Sequence, residues 1–192
     1  MNVALRKPMT LEEFLGWEER PPTRFEFDGF HPVAMTGGTI AHNRIMRRLH
    51  RALERRLEGQ PREPFGPDVK VIVDSRARYP DAVVTCTPQT DSAQVIDNPV
   101  VVFEVLSDST SRTDRIDKVR EYQATQSILR YIILEQDSAG ATVFERQDAG
   151  WMAATLTERD RLLMPEIGIE IPLAELYADP RRPAAQPHTQ PD

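Results

Sequence analysis

Residues 99–106 read Pro-Val-Val-Val-Phe-Glu-Val-Leu, a continuous apolar run that Glu104 alone interrupts. A short run rich in β-branched residues and opened by a proline predicts a strand buried on both faces. Such a strand needs a sheet covered from each side, which points to an α/β chain. A carboxylate inside it is costly, because an ion taken out of water must find a partner or shift its pKa. Two readings of Glu104 are open. It is a buried carboxylate paired with an arginine, or it holds a metal ion at one end of the strand.

The rest of the composition fits one such unit. A chain of 192 residues, 40% hydrophobic and 28% charged, is sized for a single domain with a sizeable core. The domain is expected over residues 1–178, and the Pro-rich polar stretch 179–192 is expected to be a disordered tail. No apolar stretch approaches the roughly 20 residues that cross a membrane. Residues 1–7 lack the apolar core of a secretory signal, so the cytoplasm is the expected location and no membrane partner is expected. Cys86 is the only cysteine, which excludes an internal disulfide and a multi-cysteine zinc site. Ending an apolar strand, it reads as a small core residue. The net charge of −6 argues against strong non-specific nucleic-acid binding by the whole surface, while leaving room for a local basic groove.

Taken in order, Thr10-Leu11-Glu12-Glu13 forms a capping box for a short helix that Pro21-Pro22 stops. Residues 24–35 alternate around Asp28-Gly29 and predict a β-hairpin. Glu26, between Phe25 and Phe27, points away from their face, either to solvent or into a site. Thr39 caps a long helix to about Leu57, with Ile45, Leu49 and Leu53 as its buried stripe. His42 falls on that stripe, as a boundary residue or a site residue. The opposite face carries Arg44, Arg47, Arg48, Arg51 and Arg55, which is either solvated or in contact with phosphates. Residues 59–67 read as a Pro/Gly-rich connection, Val69–Val73 as a strand, Asp74–Arg78 as a polar turn, and Tyr79–Cys86 as a further strand.

If that strand pairs antiparallel with the Glu104 strand across the polar loop 87–98, Cys86 lies near Pro99 and Asp81 lies opposite Glu104. Two facing carboxylates repel unless a cation lies between them. After a Ser/Thr/Asp-rich turn at 107–113, a helix over about 114–124 carries Lys118. Leu129–Leu134 predicts a strand laid beside the Glu104 strand after this crossover. Residues 142–146 and 151–156 predict a peripheral hairpin. Ile167–Ile171 predicts a last strand, with Pro172 opening a short helix.

This ordered set resembles the PD-(D/E)XK nuclease superfamily, and more closely the putative restriction endonuclease family of uncharacterised bacterial proteins. The resemblance rests on Arg24-Phe25-Glu26-Phe27-Asp28-Gly29, His42, Gly66-Pro67-Asp68-Val69, Pro80-Asp81, Phe103-Glu104-Val105-Leu106-Ser107 and Asp114-Arg115-x-x-Lys118-x-x-x-Tyr122, and spans roughly residues 9–178. It implies a restriction-endonuclease-like αβββαβ core with a mixed central sheet, an N-terminal helix and hairpin, and C-terminal strand additions. It further implies a Mg²⁺-dependent endonuclease, with Mn²⁺ able to substitute, in which Asp81, Glu104 and the Val105 carbonyl bind metal. Glu26 and His42 carry over as accessory site residues.

One position departs from the superfamily pattern, because the residue two after Glu104 is Leu106 rather than lysine. Of the chain's lysines, Lys7, Lys70 and Lys118, the last is best placed to replace it, since its helix follows the Glu104 strand directly. An ion pair with Asp114 is the plainer role for it. DNA is the expected partner, with Arg44, Arg48 and Arg51 as its contacts, and a homodimer is kept open. Two other functions compete: a non-catalytic binding or assembly module on the same fold, and a metal phosphoesterase acting on RNA.

Overall fold

The computed structural model describes residues 8–20, 23–35, 37–107 and 112–178. The expected stop at Pro21-Pro22, most of the turn before Thr113 and the tail beyond Ala178 lie outside these residues.

Thr10 caps α1 (Leu11–Glu18) with a complete capping box, its hydroxyl accepting from the Glu13 N–H while Glu13 reaches back to the Thr10 N–H. The hairpin β1 (Phe25–Phe27) and β2 (Pro32–Ala34) follows, turned by Asp28, whose carboxylate accepts from the Phe30 and His31 N–H groups. Gly29 takes the left-handed conformation this turn requires (φ 96°). Thr39 caps α2 (Ile40–Leu57), which buries Ile45, Leu49, Ala52, Leu53 and Leu57 as one stripe.

The supposed connection after α2 contains a strand, β3 (Glu63–Phe65), on the edge of the main sheet. The supposed polar turn at Asp74–Arg78 is likewise a hairpin, β4 (Val71–Val73) with β5 (Arg76–Arg78). Only Asp74 and Ser75 turn there, both at positive φ, as a two-residue hairpin loop requires. Next come β6 (Ala82–Thr85) and β7 (Pro99–Val105), antiparallel as expected, with Ala82 opposite Phe103 and Val83 opposite Val102. One step further along that register sets Asp81 against Glu104. A bulge between Val84 and Thr85 shifts the far end, so Thr85 rather than Cys86 meets Pro99. Cys86 therefore lies beyond the ladder and is exposed, not a core residue.

A π-helical turn (Thr113–Asp117) leads into α3 (Lys118–Ala124), and β8 (Arg130–Leu134) then returns parallel to β7. The hairpin β9 (Gly140–Gln147) and β10 (Gly150–Thr157) extends the same sheet. Two short strands, β11 (Arg161–Met164) and β12 (Ile169–Pro172), pair with each other before α4 (Leu173–Tyr177). Pro172 precedes α4 rather than opening it.

The outcome is a six-stranded mixed sheet, β10-β9-β8-β7-β6-β3, and a four-stranded sheet, β2-β1-β5-β4. On one side of the main sheet Val101, Phe103 and Val105 of β7 pack into a core with α2, α4 and the β11–β12 pair. On the other side Val102 and Leu106 join Val71, Val73, Tyr122 and Tyr131. Among the described residues no helix is long and apolar enough to cross a membrane.

Candidate functional site

Strand alternation sends Glu104 to the same face of β7 as Val102 and Leu106, under α3. There it is almost completely buried (4% exposed). The arginine expected as its partner is instead a lysine. Lys118 Nζ lies 2.8 Å from Glu104 Oε1, and the Tyr122 hydroxyl donates to the same oxygen at 3.1 Å. Lys118 is itself 4% exposed and also meets Asp114 Oδ1 at 3.1 Å and Glu26 Oε1 at 3.3 Å. The expected ion pair with Asp114 and the expected reach to the Glu104 strand are thus both present.

Asp81 follows Pro80 at the entrance to β6. Its Oδ2 accepts from the Val105 N–H at 2.7 Å, which locks the carboxylate to the neighbouring strand beside Glu104. His42, from the first turn of α2, places Nε2 3.2 Å from the same oxygen. The hydrogen bond to Asp81 is the main reason its pKa is raised, against the effect of burial. His50, two turns later on the same helical stripe, hydrogen-bonds the Asp81 carbonyl at 2.8 Å. The helical spacing from His42 could have revealed His50 in the sequence.

Glu26 faces the same cavity. It accepts from the Tyr79 N–H at 3.2 Å and pairs with Arg78 at 3.1 Å. Burial pushes its carboxyl up, but Lys118, Arg78 and the Tyr79 N–H together hold it below the usual glutamate range. Arg78 spends the rest of its guanidinium on a two-pronged contact with Glu121, at 2.6 and 2.7 Å. This Arg78–Glu121 pair was missed because the polar stretch around it concealed β5.

A cleft of about 1220 Å³ opens over these groups, lined by Arg24, Glu26, His42, Asp81, Glu104 and Lys118 among others. Every candidate site residue named from the sequence reaches it. Acidic side chains outnumber basic ones along its lining. Burial raises the Glu104 pKa well above the ordinary range; the Lys118 ammonium draws it down, and Asp114, Asp81 and Glu26 push it up. Glu104, Glu26 and Asp114 raise Lys118 despite its burial, so the ammonium stays charged.

Among the described residues no three His, Cys, Asp or Glu side chains converge as a closed metal cage. The donors on offer are two adjacent carboxylates and a strand-end carbonyl. That set suits a hard ion such as Mg²⁺, which takes one or two carboxylates and keeps water on its other positions.

The proposed phosphate contacts fare unevenly. Arg44, Arg47 and Arg51 are exposed on α2, whereas Arg48 donates to the Leu176 carbonyl at 3.5 Å and Arg55 and Arg56 pair with Glu175.

The sequence profile of the Uma2 family, described as "Putative restriction endonuclease", matches residues 11–174. An uncharacterised protein of Synechocystis sp. is 32% identical over 170 residues, 86% of this chain and 90% of that protein. A second uncharacterised Synechocystis protein is 30% identical over 141 residues, 71% of this chain and 80% of that one. Among solved structures, a putative nuclease belonging to DUF820 from Anabaena variabilis aligns with a TM-score of 0.73 at 16% identity. That alignment covers 88% of this chain and 98% of the other, so the two share a fold.

Proposed function

This chain belongs to the Uma2 putative restriction endonuclease family, and from that premise we propose that it is a Mg²⁺-dependent endonuclease hydrolysing DNA phosphodiester bonds on a restriction-endonuclease-like core. The observation that carries the reading is the meeting of Asp81, at the mouth of β6, with Glu104 on β7 in a cleft where acidic side chains outnumber basic ones. Asp81, Glu104 and the Val105 carbonyl would hold the metal. When bound, the ion would lower the pKa of a water and draw charge from the scissile phosphate.

The chain's own groups do the positioning. The Val105 N–H orients the Asp81 carboxylate, and Lys118 with Tyr122 fixes one oxygen of Glu104. His42 can hold a proton at Nε2 beside Asp81. Arg24 at the cleft wall, and Arg44, Arg47 and Arg51 on α2, offer charge to a phosphate backbone.

The test is incubation of the pure protein with plasmid, single-stranded DNA and RNA, in Mg²⁺, in Mn²⁺ and in chelator, alongside Asp81→Asn and Glu104→Gln. Metal-stimulated DNA cleavage lost in both variants is the expected result. Cleavage of RNA alone would move the reading to an RNA phosphoesterase. Binding without cleavage of any substrate would leave a binding module.

A further inference from the structure

Lys118 is enclosed by carboxylates from three separate parts of the chain. Glu26 comes from β1, Glu104 from β7 and Asp114 from the π-helical turn, at 3.3, 2.8 and 3.1 Å from its Nζ. Asp114 is the decisive member. It is 1% exposed, and its Oδ1 is buried without a hydrogen bond, so that the ammonium is its neighbour by charge rather than by hydrogen-bond geometry. A buried carboxylate oxygen without a hydrogen bond is expensive. Asp114 in the π-helical turn and Lys118 at the start of α3, four residues apart, share one face, and turns of this kind concentrate at functional sites.

Two buried cations, Lys118 and Arg78, therefore face Glu26, Glu104, Asp114 and Glu121, with a further carboxylate at Asp81, so acidic groups are in excess. An oxygen-lined pocket with excess negative charge is how proteins hold a divalent ion, at about 2.0–2.6 Å from each oxygen. Here the oxygens stand slightly farther out, at ammonium distances.

We propose that Lys118 occupies a second cation site built by Glu26, Glu104 and Asp114, an internal ammonium taking the place of a second divalent ion. It rests on the reading above only in that the first ion belongs to Asp81 and Glu104. Glu104, common to both sites, would bridge them, much as carboxylates do where two ions sit about 3.5–4 Å apart. The native chain then takes one divalent ion, and the chain without the ammonium takes two.

The experiment is calorimetric titration of Mn²⁺, checked by electron paramagnetic resonance for spin coupling between neighbouring ions, on the full chain and on Lys118→Met and Lys118→Met with Asp114→Asn. The native chain should bind one ion and Lys118→Met one more, with the resonance broadened by its neighbour. Adding Asp114→Asn should weaken the extra ion at least about tenfold. No gain in Lys118→Met, or a gain that Asp114→Asn leaves untouched, would overturn the proposal.

Lys118→Met could be unstable without its ammonium, so its melting temperature is also read with and without Ca²⁺, and Lys118→Gln is run beside it. Rescue by Ca²⁺ well beyond that of the native chain is the expected result, and equal instability of both variants in Ca²⁺ counts against it. A native chain that binds no Mn²⁺ while Lys118→Met binds one would refute the metal reading of Asp81 and Glu104 but support the cage around Lys118.

Discussion

The two faces of β7 are built on opposite principles. Val101, Phe103 and Val105 enter a body of side chains with Leu49, Leu53, Ile132 and Leu176 that is apolar throughout. On the reverse face Val102 and Leu106 begin the same way, but Glu104 between them opens into Lys118, Glu26, Arg78 and Glu121. The dry face is stabilised by area, about 25 cal/mol per Å² removed from water, and each side chain contributes largely independently. The charged face is stabilised by completeness. Its members offset one another's desolvation, and deleting one leaves another buried without a partner. A single strand thereby anchors the sheet on one side and presents a carboxylate on the other. Rigidity from the first face is what holds the second in register.

This contrast can be broken most forcefully at neighbouring positions. Glu104→Gln should lower metal-stimulated cleavage by roughly a hundredfold or more, the scale of losing one preorganised contact in a transition state. The fold should survive. Phe103→Leu, one residue away on the other face, should lower the melting temperature and leave the single-turnover rate close to normal. Equal rate losses in the two variants would mean that the faces are not separable.

Arg78→Ala probes the completeness of the charged face. It takes from Glu121 its two-pronged partner, leaving only Arg76 at 3.3 Å, and from Glu26 one of two cations, and should cost up to about 3–5 kcal/mol, read from urea unfolding. Leu49→Ala, on the fully buried stripe of α2, should cost about 2–5 kcal/mol by transfer and cavity terms. The sharper distinction is additivity. Leu49→Ala combined with Arg78→Ala should sum, whereas Arg78→Ala combined with Glu121→Gln should cost less than the sum.

A smaller effect appears in acid. Because the Glu26 carboxyl is held below its unfolded value, its share of stability is fully present above about pH 4.3, and is lost as pH falls through the lower folded value. Glu26→Gln should therefore flatten the acid side of the stability–pH curve. A curve with the native slope would show that Glu26 is not bound to its cations in solution. Smallest is the effect on the α2 arginines. Reversing Arg44, Arg47 and Arg51 should reduce the log–log salt slope of DNA binding by up to about 0.9 for each phosphate no longer neutralised, with no change in unfolding.

How much of this could be read from the chain depends on where local pattern and tertiary need coincide. β7 was legible because a strand buried on both faces must be apolar along its length, which made Glu104 conspicuous. The meeting of Asp81 and Glu104 followed from antiparallel register, and survived the bulge because the bulge lies at the far end. The cases missed share one cause. β3 is three residues long with Pro64 at its centre, and β5 has two arginines, so neither carries an apolar signature. Arg78 is buried by its partners rather than by its own chemistry, and those partners are 43 and 52 residues away. The π-helical turn leaves no mark in periodicity, which is why Asp114 reads from sequence as an ordinary partner of Lys118.

The span of the constellation also has a consequence in time. Its groups run from Glu26 through Asp81 and Glu104 to Lys118, and β7 needs β8, beyond α3, to complete its parallel ladder. A chain growing from its N-terminus thus exposes Asp81 and Glu104 well before the crossover that encloses them has been made. Contacts so far apart in sequence close late and together. The cleft has no half-built form: a truncated or partly synthesised chain carries the carboxylates without their setting, and the chemistry proposed for it begins only when the last strand of the central sheet's middle has docked.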